Sequence, residues 1–236
     1  MIAEGIKYLI SACKAERFDV NELPYSDKTL NLITPPYSHS VDVDTLLAIE
    51  SLVGLGLDGC LEKETFVHIE DFRTVHVKAI KADRFGHRQH FIKAEITESC
   101  PFRFGQFHDP ESFIIALNTC FVETGELKSL IALASGLTAE NVSIAEDDGI
   151  SQKATLRSGV SLKTQKKIEP KIKLQPYRTF REVEQPASMF LLRLRNSAEG
   201  QPPACALFEA DGGAWKIEAV KNIAKWFKGK IANVVS

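Results

Sequence analysis

Apolar residues recur at helical spacing near the start of the chain. Ile6, Leu9, Ile10 and Cys13 share one face there, which predicts a helix over residues 1–18. Pro24 and the pair Pro35-Pro36 then punctuate an extended stretch, ELPYSDKTLNLITPP, with short strands. A second helix starts near Asp42 or Asp44, either of which can cap it. It carries Leu46, Leu47, Ile49, Leu52 and Val53 and ends at Gly54, Gly56 and Gly59. Strand patterns follow at Thr65–Ile69, Arg73–Lys81 and Arg88–Ile96. In the middle one, Val75, Val77 and Ala79 alternate with Thr74, His76 and Lys78. The turn Asp83-Arg84-Phe85-Gly86 joins the last two as a hairpin.

Asp109 followed by Pro110 opens a helix over ESFIIALNTCF, with Ser112, Phe113, Leu117, Cys120 and Phe121 mostly on its buried side. Glu126–Leu137 is the next helix and stops at Gly136. Asn141–Glu146 and Ile150–Val160 flank Asp147-Asp148-Gly149, a hairpin signal. Lys171–Leu174, Met189–Arg195 and Ala204–Glu209 read as strands. A final helix from about Ala214 to Ile231 sets an apolar stripe, Ile217, Val220, Ala224, Phe227 and Ile231, against Lys221, Lys225 and Lys228. Helices and strands come in blocks with no regular βαβ alternation. The expectation is an α+β fold, antiparallel hairpins packed with about four or five helices. Residues 1–38 form an N-terminal helix and extended arm, and residues 39–236 the α+β domain.

Composition narrows the class. The apolar share of 44% and charged share of 25% are those of a folded domain, which excludes a disordered or low-complexity chain. No apolar run reaches the ~18–20 residues of a membrane span. Glu4 and the charges around residues 14–19 make the N-terminus a poor secretory signal. Five widely spaced cysteines with no CxxC point to a reducing cytoplasm. Charge adds an asymmetry that the net value of −2 hides: residues 1–150 sum to −11 and residues 151–236 to +9. Such halves either neutralise each other across one fold, or present a field that suits nucleic acid or self-association of an acidic with a basic face.

The order of elements has a counterpart. A helix ending at glycines precedes a hairpin with Gly86-His87-Arg88, and the helix pair Glu111–Phe121 and Glu126–Leu137 comes next. The strand run Asn141–Leu162 and a final strand-helix unit complete the order. In this order the chain resembles the YfdQ-like family of tailed-phage and prophage proteins over residues 40–230, while the blocks PYRTFREVEQPASMFLLRLR (176–195) and CALFEADGGAWKIEAV (205–220) resemble those of phage proteins of the same broad group. The resemblance implies a phage or prophage origin and the cytoplasm of a host cell. It carries over no catalytic residue.

Four histidines, His68, His76, His87 and His90, lie near Glu70, Asp71 and Asp83. His76 and His90 on facing strands are the nearest to a metal pair, but the spacing fits no HExxH pattern and a polar hairpin face accounts for them. No metal or cofactor is therefore assigned. Asp211-Gly212-Gly213 reads as a loop and helix cap, not a phosphate cradle. No local signature of a nucleophile occurs. Pro176 and Pro186 bracket a rigid segment in which Tyr177, Arg178, Phe180, Arg181, Glu182 and Glu184 interleave aromatic and charged residues, as at protein interfaces. Arg178 and Arg181 are expected to pair with Glu182 and Glu184 or with a neighbour's acids. A second candidate is a basic face drawn from Lys163, Lys166, Lys167, Lys171, Lys173, Lys221, Lys225 and Lys228. Three readings follow: a non-enzymatic homo-oligomer, a nucleic-acid-binding accessory of phage replication or recombination, or a binder of nucleotides that counters host defence.

Overall fold

The computed structural model describes residues 4–6, 8, 16–26, 39–56, 59–97, 100–136, 142–147, 152–158, 162–168, 171–195 and 203–236. The fold is α+β, with four α-helices of ten to thirteen residues and thirteen strands among those residues.

Near the N-terminus, residues 4–6 and 8 are helical, but Arg17 and Phe18, expected in the same helix, belong to a strand. That strand, β1 (Arg17–Val20), pairs with β2 (Leu23–Ser26) around Asn21 and Glu22. Both turn residues have positive φ, 54° and 65°, the backbone that twists a two-residue hairpin correctly.

The larger sheet holds β3 (Val41–Val43), β4 (Thr65–Ile69), β5 (Thr74–Ala79), β6 (His90–Glu95) and β13 (Val234–Val235) in the order β13-β4-β5-β6-β3. It is mixed, not purely antiparallel: β3 runs parallel to β6 and β13 parallel to β4. Val67, Val75, Val77 and Ile92 alternate onto one face and are almost fully buried. Helices α1 (Leu46–Leu55) and α4 (Trp215–Phe227) cover that face with Leu46, Ile49, Ile223 and Phe227.

The cap of α1 is Thr45, whose hydroxyl accepts from Ala48 N at 3.3 Å. Asp42 is held instead in β3, paired with Lys93, and Asp44 lies outside the cap. The stripe of α4 also differs from expectation. Trp215, Ala219, Ile223 and Phe227 are buried at a four-residue spacing, while Ile217 is 64% exposed. Two residues from Trp215 is about 200° around a helix, so burying the indole turns Ile217 to water.

A second core lies between helices α2 (Pro110–Cys120) and α3 (Gly125–Ser135) and the sheet β10-β11-β12. These strands are Lys171–Leu174, Ser188–Arg195 and Ala204–Glu209. Asp109 caps α2 with Pro110 in the first turn, as its sequence indicates, and Thr124 caps α3. Phe113, Leu117, Phe190 and Leu207 sit at the centre of this core.

The remaining sheet is β7 (Val142–Asp147), β8 (Gln152–Ser158) and β9 (Leu162–Ile168). The antiparallel pairing of β7 with β8 was legible from Asp147-Asp148-Gly149, of which Asp148 and Gly149 lie outside the described residues. The third strand was not, because Lys166 and Lys167 break the alternation of LKTQKKI. Among the described residues these three strands pair only with one another, and no helix is long and apolar enough to cross a membrane.

Candidate functional site

The segment 176–186 is not a free surface loop. Phe180 is 1% exposed and Val183 is buried, both within the core of the larger sheet. The Gln185 side chain makes four bonds inside the loop. Its oxygen accepts from Arg178 N at 2.9 Å and Thr179 N at 3.2 Å, and its nitrogen donates to Phe180 O at 2.9 Å and Val183 O at 3.2 Å. That exhausts the amide's capacity and fixes the turn without secondary structure. Three further bonds tie the loop to its surroundings. Thr179 donates its hydroxyl to Phe72 O at 2.7 Å, and Asn222 on α4 donates to Glu184 O at 2.8 Å. Glu182 Oε1 accepts from Leu46 N at 2.8 Å, which puts a carboxylate on the positive end of α1.

Arg178 is the charged centre of this region. Its side chain is 6% exposed, and Nη2 lies 2.7 Å from Glu209 Oε1. The guanidinium carbon stands 4.4 Å from the centre of the Phe104 ring, 4.5 Å from that of Trp215 and 5.1 Å from that of Phe190. Burial pushes the guanidinium down from its ordinary value, while Glu209 and Asp211 push back. The expected partners Glu182 and Glu184 are replaced by Glu209, because Glu182 is spent on α1 and Glu184 is exposed. The β11–β12 register sets Glu209 opposite Phe190, directly beneath the cation. Sequence reasoning missed Glu209, Phe104 and Trp215; the nearest signal was the Glu-Ala-Asp-Gly-Gly-Ala-Trp run. Asp211 does not cap α4: its Oδ1 accepts from Gly213 N at 3.1 Å and closes the turn, and Ala214 is the cap residue. Of the expected interface residues, Arg181 and Glu184 remain exposed and Tyr177 half-buried, with Arg181 4.0 Å above the Tyr177 ring.

The histidines are brought together more closely than a polar hairpin face requires. On the sheet face away from α1 and α4, His76 is flanked by His90 at 5.6 Å and His68 at 6.3 Å between ring centres. His76 is only 9% exposed, against the expectation of a solvated position, and its Nε2 lies 2.7 Å from Glu70 Oε2. Lys78 Nζ donates to His68 Nδ1 at 3.1 Å. Burial first, then the Lys78 charge, pushes His68 and His90 below the ordinary histidine value. His87 stays in the turn, its N–H given to Asp83. No three His, Cys, Asp or Glu side chains among the described residues are arranged to hold a metal ion.

The basic candidates divide among three elements. Lys171 and Lys173 are exposed on the edge strand β10, and Lys221, Lys225 and Lys228 are exposed along α4. Lys163, Lys166 and Lys167 belong to β9. The register of β7–β9 sorts that sheet into two unlike faces. Val142, Ile144, Ala154, Leu156, Leu162 and Ile168 occupy positions of one face, together with Gln152, Ser158, Thr164 and Lys166, so Lys166 is separated from the other basic candidates of β9. Lys153 opposite Lys167, and Arg157 opposite Lys163, occupy positions of the other. Elsewhere an open cavity of about 550 Å³, with Lys63, Lys81 and Phe91 in its wall, lies at the end of β5 and the start of β6.

Comparison with family models, with curated proteins and with solved structures finds no match to this chain.

Proposed function

We propose that this is a non-enzymatic phage- or prophage-encoded protein of the host cytoplasm that assembles into a homo-oligomer through the sheet β7–β9. The observation that carries the reading is the register of that sheet. Six apolar residues fall on one face of three strands that pair with no other described strand, with Lys166 opposite Ala154 as the one charge among the positions of β8 and β9 on that face. Burying each Val, Leu or Ile is worth ~1.5–3 kcal/mol, so such a face favours a covering layer. Both edges, β7 and β9, are also open to strand addition among the described strands. A second copy offers the same face and the same edges, as a two-fold contact requires. The phage setting rests on the order of elements and the blocks at 176–195 and 205–220.

Light scattering on the full chain tests the assembly. An apolar contact should give the same oligomer at low and high salt, whereas an acidic-to-basic contact should dissociate as salt rises. Leu156→Lys, which replaces a central apolar residue of that face and adds a second charge near Lys166, should yield a folded monomer. A parent protein that is monomeric at every salt and at high concentration removes the reading.

A further inference from the structure

We propose that the opposite face of the same sheet binds the phosphate backbone of nucleic acid without regard to sequence. This goes beyond assembly and uses different residues. The register sets Lys153 directly across from Lys167 and Arg157 directly across from Lys163. Like charges facing each other across two strands repel and weaken a sheet. Two such pairs on one face are an arrangement that an anion stabilises. The pairs are four residues apart along β8, about 13 Å. A single phosphate or a mononucleotide does not reach both, and a polynucleotide does.

The row between the pairs is polar and uncharged, with Ser143, Thr155 and Gln165 aligned across the three strands. These residue types donate to phosphate oxygens in backbone contacts. The one acid aligned with the basic pairs is Glu146, opposite Lys153 on the bulged strand β7. Residues 142–168 contain no Phe, Tyr or Trp. A platform for stacking unpaired bases is therefore missing, and affinity has to come from charge. That points to the duplex backbone as the preferred form. The wider field agrees, since residues 151–195 hold eleven Lys and Arg against three Glu.

The test is fluorescence anisotropy of the full chain with labelled duplexes of unrelated sequence. Four contacts give a slope of about −3.6 in log affinity against log salt, hence roughly a hundredfold loss between about 50 and about 200 mM. Different sequences should bind within a factor of about two to three. Changing Lys153, Arg157, Lys163 and Lys167 together to Gln should lower affinity at least about tenfold and flatten the slope, with circular dichroism and oligomer size unchanged. If that variant misfolds, Lys163→Gln with Lys167→Gln on the edge strand should halve the slope. Glu146→Gln should tighten binding. The α4 variant Lys221→Gln/Lys225→Gln/Lys228→Gln should bind like the parent. The proposal is overturned by no binding at low salt, by an unchanged slope in the basic-face variants, or by polyglutamate of equal charge competing better than duplex. It is equally overturned if those variants shrink the oligomer, which would make this face a contact between copies.

Discussion

Arg178 and Arg181 lie three positions apart and have opposite surroundings. Arg178 is enclosed by three aromatic rings and paired with Glu209, whereas Arg181 lies open over Tyr177. Removing one partner of a buried pair strands the other charge. Arg178→Ala should lower stability by about 3 kcal/mol, the lower end for such a pair because Glu209 keeps some contact with water. Arg181→Ala should change it by about 0–1 kcal/mol. Urea unfolding of the two variants decides this, and equal midpoints would contradict the enclosure of Arg178. Glu182 acts at a distance in sequence by accepting from the first N–H groups of α1. Glu182→Ala should cost about 1 kcal/mol, as the loss of a helix cap does. Glu182→Gln, which keeps the acceptor, should recover part of it.

The elements differ in how far they could be read in advance. Thr65–Ile69 and Ala204–Glu209 were legible to the residue, because each is an apolar or alternating run with firm stops. Helix α2 announced itself through Asp109-Pro110. The stripe of α4 was misread because Ile217 looks more apolar than Ala219, and only the docking of Trp215 decides which side faces inward. The Arg178–Glu209 pair was illegible for a similar reason: the register of β11 on β12 selects the acid, and Glu182 and Glu184 were merely nearer in sequence. The sheet face with His68, His76 and His90 has a consequence for pH. His68 and His90 titrate lower when folded than when unfolded, so the unfolded chain binds more protons on acidification. Their stabilising contribution is complete above the ordinary histidine value of ~6.5 and is lost as pH falls below it. Lys78 adds to the loss and Glu70 opposes it. Urea midpoints should fall between about pH 7.5 and about pH 5.5, and His68→Gln with His90→Gln should reduce that fall.

At the scale of the molecule, two cores share one connecting segment. Phe180 and Val183 belong to the core of the larger sheet, while Arg178 just before them stacks on Phe104 and Phe190 beside the other. The larger sheet takes its strands β3–β6 from residues 41–95 and its cover from Phe180, Val183 and α4. A fragment spanning residues 39–97 therefore lacks a third of the buried residues of this core. It should show no cooperative unfolding transition by circular dichroism, and a sharp transition would mean that α1 alone suffices as cover.

The pairing of β13 with β4 reaches across most of the chain: Asn233 donates to Thr65 O over 168 positions. Glu182 reaches Leu46 over 136 and Thr179 reaches Phe72 over 107. Contacts this remote pay their loop-closure entropy before they return any stability, which slows folding. On the ribosome the delay is longer still. At ~5–20 residues per second, β4–β6 emerge on the order of ten seconds before the residues that cover them. For that interval a nascent chain has only α1 to cover the valines and isoleucines of its main sheet. Depleting chaperones during synthesis should therefore lower the yield of folded protein more than its size suggests.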